Sequence, residues 1–96
     1  MIRPTAVAGT WYPGTAGGLT REVDDYLKIA ADGPPGDLTA IIAPHAGMMF
    51  SGPVGAYSYK ATTSRTFDVA VLVGPSHLVA FEGVALWPDG GFDSPL

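Results

Sequence analysis

Hydrophobic and polar residues alternate with a helical period in the region of residues 19–31. One apolar stripe, spaced i, i+4, i+7, i+8 and i+11, is formed by Leu19, Val23, Tyr26, Leu27 and Ala30. Charged residues occupy the other face, and the segment Gly33–Gly36 (GPPG) that follows cannot continue a helix. The pattern therefore predicts an amphipathic helix over Leu19–Ala31.

Three short apolar runs are typical of buried strands, and they are Leu38–Ala43 (LTAIIA), Phe67–Val73 (FDVAVLV) and Val84–Trp87. Between the first two, a loop over Pro44–Gly52 precedes a predicted helix, Pro53–Thr62, with proline at its first position. Strand, helix and strand in this order indicate a right-handed parallel βαβ unit, and thus an α/β fold. Such a sheet needs cover on both faces. Because two helices cannot supply it, we expect the chain to be the beginning of a larger domain.

Composition and charge exclude several classes of protein. The net charge is −4 and there is no basic run, so neither a nucleic-acid partner nor a polybasic membrane surface is expected. The chain has no cysteine, which excludes disulfides and thiolate metal ligands. Proline and glycine interrupt the uncharged stretch Leu38–Tyr59, so no membrane span is predicted, and Met1–Trp11 lacks the apolar core of a signal peptide. We expect a cytoplasmic protein.

Two histidines are the strongest candidates for chemistry, because each follows a predicted strand. His45 follows the first strand in the sequence Pro44-His45, and His77 follows the second in Gly74–His77 (GPSH). Ligands of open α/β sheets bind at the carboxyl ends of the strands, and neighbouring strands lie about 4.8 Å apart. The two imidazoles can therefore converge on one ion or one substrate atom, and neutral imidazole is a common ligand of Zn and Fe(II).

A less specific interpretation stays open, in which each histidine is an ordinary hydrogen-bonded surface residue. A catalytic Zn or Fe site generally has three protein ligands. Asp93 is a possible third ligand, whereas Asp68 opens a predicted strand at the wrong end and Glu82 lies in a loop. Ser76 lies next to His77, but adjacent residues seldom form a nucleophile and base pair.

Four blocks of sequence resemble the Memo family, whose prokaryotic members are named AmmeMemoRadiSam system protein B. In chain order they are Ala6–Pro13 (AVAGTWYP), Ile41–Gly47 (IIAPHAG), Ser51–Val54 (SGPV) followed by Ala56-Tyr57, and Gly74–His77 (GPSH). The resemblance runs over essentially the whole chain. It implies a partial three-layer α/β/α sandwich with a mainly parallel sheet, similar to class III extradiol dioxygenases. Because members of the family are much longer, it also implies that residues 1–96 form the N-terminal part of a single domain.

The resemblance also implies a metal site and a cleft. The family binds iron through two histidines and a cysteine. His45 and His77 match the histidines, and the third ligand is expected outside this chain. Trp11 matches a tryptophan of the cleft. Phe50 stands where animal members have a cleft tyrosine, so a hydroxyl group is lost there. Fe(II) is the expected ion, with Cu and Zn as alternatives.

The function implied is that of a non-haem iron-binding, oxidoreductase-like protein whose reaction is not established. Two alternatives remain open: a peptide- or partner-binding module that uses the same cleft without turnover, and a non-functional truncated product. Association of the family with radical-SAM and AMMECR1-type proteins makes these two candidate partners. Exposed sheet edges would in addition favour self-association.

Overall fold

The computed structural model describes the whole chain, Met1–Leu96, and contains two helices and two very short strands. In chain order the elements are β1 (Ile2–Arg3), α1 (Ala16–Ile29), α2 (Met48–Lys60) and β2 (Gly91–Phe92). The strands pair in parallel, with Ile2 opposite Gly91 and Arg3 opposite Phe92, so the two ends of the chain lie side by side. The structure is a small α/β architecture, and the predicted class is confirmed at this level.

Helix α1 occupies nearly the predicted position but begins at Ala16 rather than Leu19 and ends at Ile29 rather than Ala31. Its first turn is closed by Thr15, whose hydroxyl oxygen accepts the backbone N–H of Gly18 at 3.2 Å. A threonine at this position satisfies one of the amide donors that a helix N-terminus leaves free. The helix ends because the backbone turns extended at Ala30.

Helix α2 begins at Met48, five residues before the predicted start at Pro53. Gly47 caps it, and the carbonyl oxygen of Gly47 accepts the amides of Phe50 and Ser51 at 2.9 Å. Pro53 therefore lies inside the helix, where it lacks the N–H of an i→i−4 hydrogen bond. The free amide of Met48 donates to the carbonyl oxygen of Trp11 at 2.8 Å, a tertiary contact that helps to fix the earlier start. Neither helix has the length and apolar character needed to cross a membrane.

The small core lies where α1 and α2 pack together. Its buried residues are Leu19, Ala30, Ser51, Gly55 and Ala56. The ammonium group of Lys60 at the end of α2 donates to the carbonyl oxygen of Leu27 in α1 at 3.1 Å. The two helices are thus joined by packing in the middle and by a hydrogen bond at one end.

The three apolar runs predicted as strands do not form strands. Leu38–Ala43, Phe67–Val73 and Val84–Trp87 have no ladder partner, and the prediction of a βαβ unit within this chain is wrong. Their side chains are largely exposed, with Ile42 at 93% and Val73 at 92%. A strand needs a second strand for its hydrogen bonds and a second layer for its side chains, and this chain brings neither to the apolar runs.

Candidate two-histidine site

The structure brings the two histidines together. The Nε2 atoms of His45 and His77 lie 3.2 Å apart, and the ring centroids are separated by 5.2 Å at an interplanar angle of 69°. Both residues are exposed. Two nitrogens bound to one ion would lie about 3–4 Å apart. The two rings therefore converge as expected, although the strands that were expected to deliver them are not formed.

The loop that carries His45 is held along one face of α2. The buried hydroxyl of Ser51 accepts the amide of Ala46 at 2.7 Å. Two turns further along, the hydroxyl of Ser58 donates to the carbonyl oxygen of Ile42 at 2.7 Å. The loop is therefore fixed on both sides of the histidine.

Gly55 lies between these two serines on the same face, four residues after Ser51 and three residues before Ser58. A Cβ added at Gly55 would lie 3.8 Å from the Cδ of Pro44 and 3.9 Å from the Cβ of Ala43, so the loop passes close over the glycine. Small and polar residues at helical spacing in Ser51, Gly55 and Ser58 were the available signal for this contact. The contact does not follow from the predicted elements, because a helix that begins at Pro53 leaves Ser51 in a loop.

His77 is held by a local turn instead. The hydroxyl of Ser76 donates to the carbonyl oxygen of Val79 at 2.5 Å and accepts the amide of the same residue at 3.4 Å. The hydroxyl of Ser76 thus shapes the turn that carries His77. Residues around His77 are exposed, including Leu78 at 96%.

The separation of the two nitrogens fits a shared ion. Zn–N bonds of about 2.0–2.1 Å from nitrogens at this distance subtend an angle of about 100° at the ion, between the octahedral and tetrahedral values. No group of three histidine, cysteine, aspartate or glutamate side chains gathers anywhere in the chain. Asp93, the candidate third ligand, therefore does not complete the set. It lies beside β1, where its backbone N–H donates to the carbonyl oxygen of Arg3 at 2.8 Å. Without an ion, one neutral imidazole can donate an N–H to the other, depending on the tautomers.

Trp11 and Phe50, the predicted cleft residues, line one cavity of about 590 Å³. Glu22 of α1 lines it as well and places one carboxylate there, which the sequence pattern did not indicate. A neighbouring cavity of about 580 Å³ lies between the helices and is bordered by both Trp11 and His45. Trp11 therefore connects the aromatic cavity with the cavity at the first histidine.

Tyr26 and Glu22 form a pair between these cavities. The hydroxyl of Tyr26 donates to Oε1 of Glu22 at 3.1 Å. Burial of the phenol, followed by the hydrogen bond to Glu22 and the charge of that carboxylate, raises the pKa of Tyr26. The phenol therefore keeps its proton to a higher pH than an exposed tyrosine would.

The chain is similar in sequence to members of one protein family. The family model described as Memo-like protein matches residues 3–96. A MEMO1 family protein of Nitrosopumilus maritimus is 33% identical over 102 aligned positions, which cover 100% of this chain and 37% of the relative. The protein memo-1 homolog of Caenorhabditis elegans is 35% identical over 95 positions, covering 98% of this chain and 27% of the relative.

A MEMO1 family protein of Saccharomyces cerevisiae is 38% identical over 87 positions, which cover 88% of this chain and 26% of the relative. The chain thus spans little more than a third, or less, of the length of these relatives. No solved structure matches it.

Proposed function

The chain belongs to the Memo-like protein family, and we propose that it contributes two metal ligands, His45 and His77, to a non-haem iron-binding protein with an oxidoreductase-like site. The observation that supports this is the 3.2 Å separation of their Nε2 atoms. Two residues 32 positions apart in the chain meet at their ring nitrogens, and both belong to blocks that carry the family resemblance.

In this proposal the residues around the pair have separate tasks. Ser51 orients the loop of His45 through the amide of Ala46, while Trp11 and Phe50 wall the adjoining cavity. Bound Fe(II) would supply open coordination positions for oxygen or substrate. The third ligand would come from protein outside this chain, and the radical-SAM and AMMECR1-type proteins remain proposed partners of the whole protein.

The same proposal extends to the fold. Further protein covering the exposed apolar runs Leu38–Ala43 and Phe67–Val73 would complete a three-layer α/β/α sandwich similar to class III extradiol dioxygenases. Support comes from the exposure of their side chains, such as Val71 at 81% and Leu72 at 91%. These are values typical of strand residues that lack the layers they normally pack against.

Calorimetric titration with Fe(II) under exclusion of oxygen, and with Zn(II) and Cu(II), tests the metal assignment. Because two ligands impose little geometric selection, we expect weak binding at low chain concentration, with Cu(II) preferred over the other ions. His45→Ala and His77→Ala should each abolish most of this binding. Asp24→Asn, which removes an exposed carboxylate on α1, should leave it unchanged. Equal affinity in both histidine variants and the unchanged chain would refute the assignment, and tight iron-selective binding would mean that the chain contains a third ligand.

A further inference from the structure

The guanidinium group of Arg65 lies where the two histidine-bearing segments begin. Arg65 is half-buried, shortly after α2 and just before the apolar run Phe67–Val73, which leads to the second histidine. It contacts the loop Gly33–Gly36, which precedes the run Leu38–Ala43 and the first histidine. We propose that Arg65 is a positioning residue for the histidine pair, because it aligns the two segments at their starts so that the imidazoles meet at their ends. This inference rests on the proposed metal role of the pair but concerns a residue outside the ligand set.

Three carbonyl oxygens accept hydrogen bonds from Arg65. The Nε atom donates to Ala61 at the end of α2 at 3.0 Å, Nη2 donates to Pro34 at 3.3 Å, and Nη1 donates to Gly36. A planar guanidinium suits such a set, because its donors point in fixed directions and its charge strengthens each bond. The same loop also packs directly on α2, since a Cβ added at Gly33 would lie 2.5 Å from the Cβ of Ala61. The start of the first segment is therefore held against the start of the second.

The sequence separations indicate one alignment for both ends of the segments. Arg65 and Gly36 are 29 positions apart in the chain, and His45 and His77 are 32 positions apart. Two segments that run side by side in the same direction keep a nearly constant separation, whereas segments that run in opposite directions do not. Both contacts therefore belong to one parallel arrangement. It exists here without a strand ladder, because it is fixed at its two ends.

Arg65 acts mainly on the second histidine. His45 is held on α2 through Ser51, whereas His77 is held within its own turn by Ser76. The three contacts of Arg65 fix where the chain leaves α2 and begins the run toward His77. A pair that is placed before an ion arrives loses less conformational freedom on binding, so it binds the ion more tightly. Removal of the guanidinium should therefore weaken metal binding although Arg65 is not a ligand.

Cross-linking in the absence of metal tests the alignment. Because the chain has no cysteine, Ala46→Cys and Leu78→Cys place the only two thiols next to the two histidines, at exposed positions. Oxidation by diamide in EDTA should join them within one chain. Arg65→Ala should slow this reaction by about 10-fold, because the second segment samples more positions. Arg65→Lys should slow it as well, since one ammonium nitrogen cannot replace a guanidinium that reaches three carbonyl oxygens.

Lys60→Met is the matched control, because it removes another cationic donor from the same end of α2, the one that donates to Leu27. This variant should leave the cross-linking rate unchanged. Calorimetric titration with Cu(II), in chains without the added cysteines, supplies the second measurement. The dissociation constant should rise by about 10-fold in both Arg65 variants and stay unchanged in Lys60→Met.

The outcomes separate this proposal from the metal assignment. Equal cross-linking rates in the Arg65 variants and the unchanged chain would refute the positioning role and leave the two-histidine proposal standing. An equal loss in Lys60→Met would refute it too, because Arg65 would then act only through the stability of α2. Unaltered Cu(II) binding in His45→Ala and His77→Ala would refute the metal assignment, while the cross-linking rate still decides the role of Arg65. If circular dichroism shows that Arg65→Ala loses the helices, Arg65→Lys decides, since it keeps a cation at the end of α2.

Discussion

The contact between α1 and α2 depends on the absence of a side chain at Gly52. A Cβ placed there would lie 2.4 Å from Cε2 and 2.7 Å from Cδ2 of Tyr26. Separations this short are repulsive, so a Gly52→Ala variant must displace the tyrosine ring. The ring is half-buried, and its hydroxyl donates to Glu22, so displacement also disturbs that hydrogen bond.

Two opposing effects set the magnitude. Overpacking of a well-fitted contact costs about 1–3 kcal/mol. Alanine in place of glycine inside a helix contributes about 1 kcal/mol in the other direction. We therefore expect Gly52→Ala to lower the free energy of unfolding by about 1 kcal/mol, the difference between the two.

Gly55→Ala is the matched control in the same helix. A Cβ there would meet only Pro44 and Ala43, at 3.8 and 3.9 Å, which are ordinary contact distances. This variant should raise the free energy of unfolding by about 0.5–1 kcal/mol. The same substitution is thus expected to have opposite signs at two positions three residues apart.

Urea denaturation followed by circular dichroism at 222 nm measures both variants, in a fixed concentration of trimethylamine N-oxide to keep the folded state populated. In a Tyr26→Ala background, Gly52→Ala should cost less, since the obstructing ring is gone, and the coupling energy of the two changes measures the contact. Part of the cost should remain, because Gly52 precedes Pro53 and a Cβ there disfavours the helical conformation. If Gly52→Ala stabilises the unchanged chain as much as Gly55→Ala does, the close approach of Tyr26 does not limit this interface and the reasoning is wrong.

Three further outcomes are expected. Ser51→Ala should cost about 0.5–1.5 kcal/mol, because the amide of the exposed residue Ala46 exchanges the serine hydroxyl for water, and hydrogen exchange of that amide should accelerate; an unchanged exchange rate would show that Ser51 does not hold the loop. The raised pKa of Tyr26 means that the folded state holds the phenol proton more tightly than the unfolded state. Stability from this group should therefore be complete below about pH 10 and fall as the pH rises further, and melting midpoints from pH 8 to 11 should fall less steeply in Tyr26→Phe. Finally, because the apolar runs are exposed, the 96-residue chain should be marginally stable or associate. A sharp melt at the same temperature at every concentration, from a sample that sediments as a monomer, would contradict this.

Local pattern predicted most of α1 and the approach of the two histidines, although the strands that were expected to deliver their rings are not formed. The apolar stripe from Leu19 to Ala30 predicted one helix face, since helical hydrogen bonds join residues four apart and the periodicity records which side is packed. The periodicity did not predict its first turn, because that turn is stabilised by a single capping hydrogen bond from Gly18 to Thr15 and not by an apolar stripe. Two Pro- and His-containing blocks, both ending apolar runs, predicted that His45 and His77 would meet, and their nitrogens do lie together.

Tertiary structure decided the remaining features. The start of α2 at Met48 depends on Gly47 and on the carbonyl oxygen of Trp11. Because Trp11 lies 37 positions earlier in the chain, the local sequence around Met48 does not reveal this contact. The apolar runs Leu38–Ala43 and Phe67–Val73 have strand composition, yet they pair with nothing. A helix satisfies its backbone groups within one segment, whereas a strand must find a neighbour and a layer on each face. Sequence by itself therefore determined which segments can be helical and which are suited to a sheet, and only the tertiary structure decided whether the partners of the sheet are present.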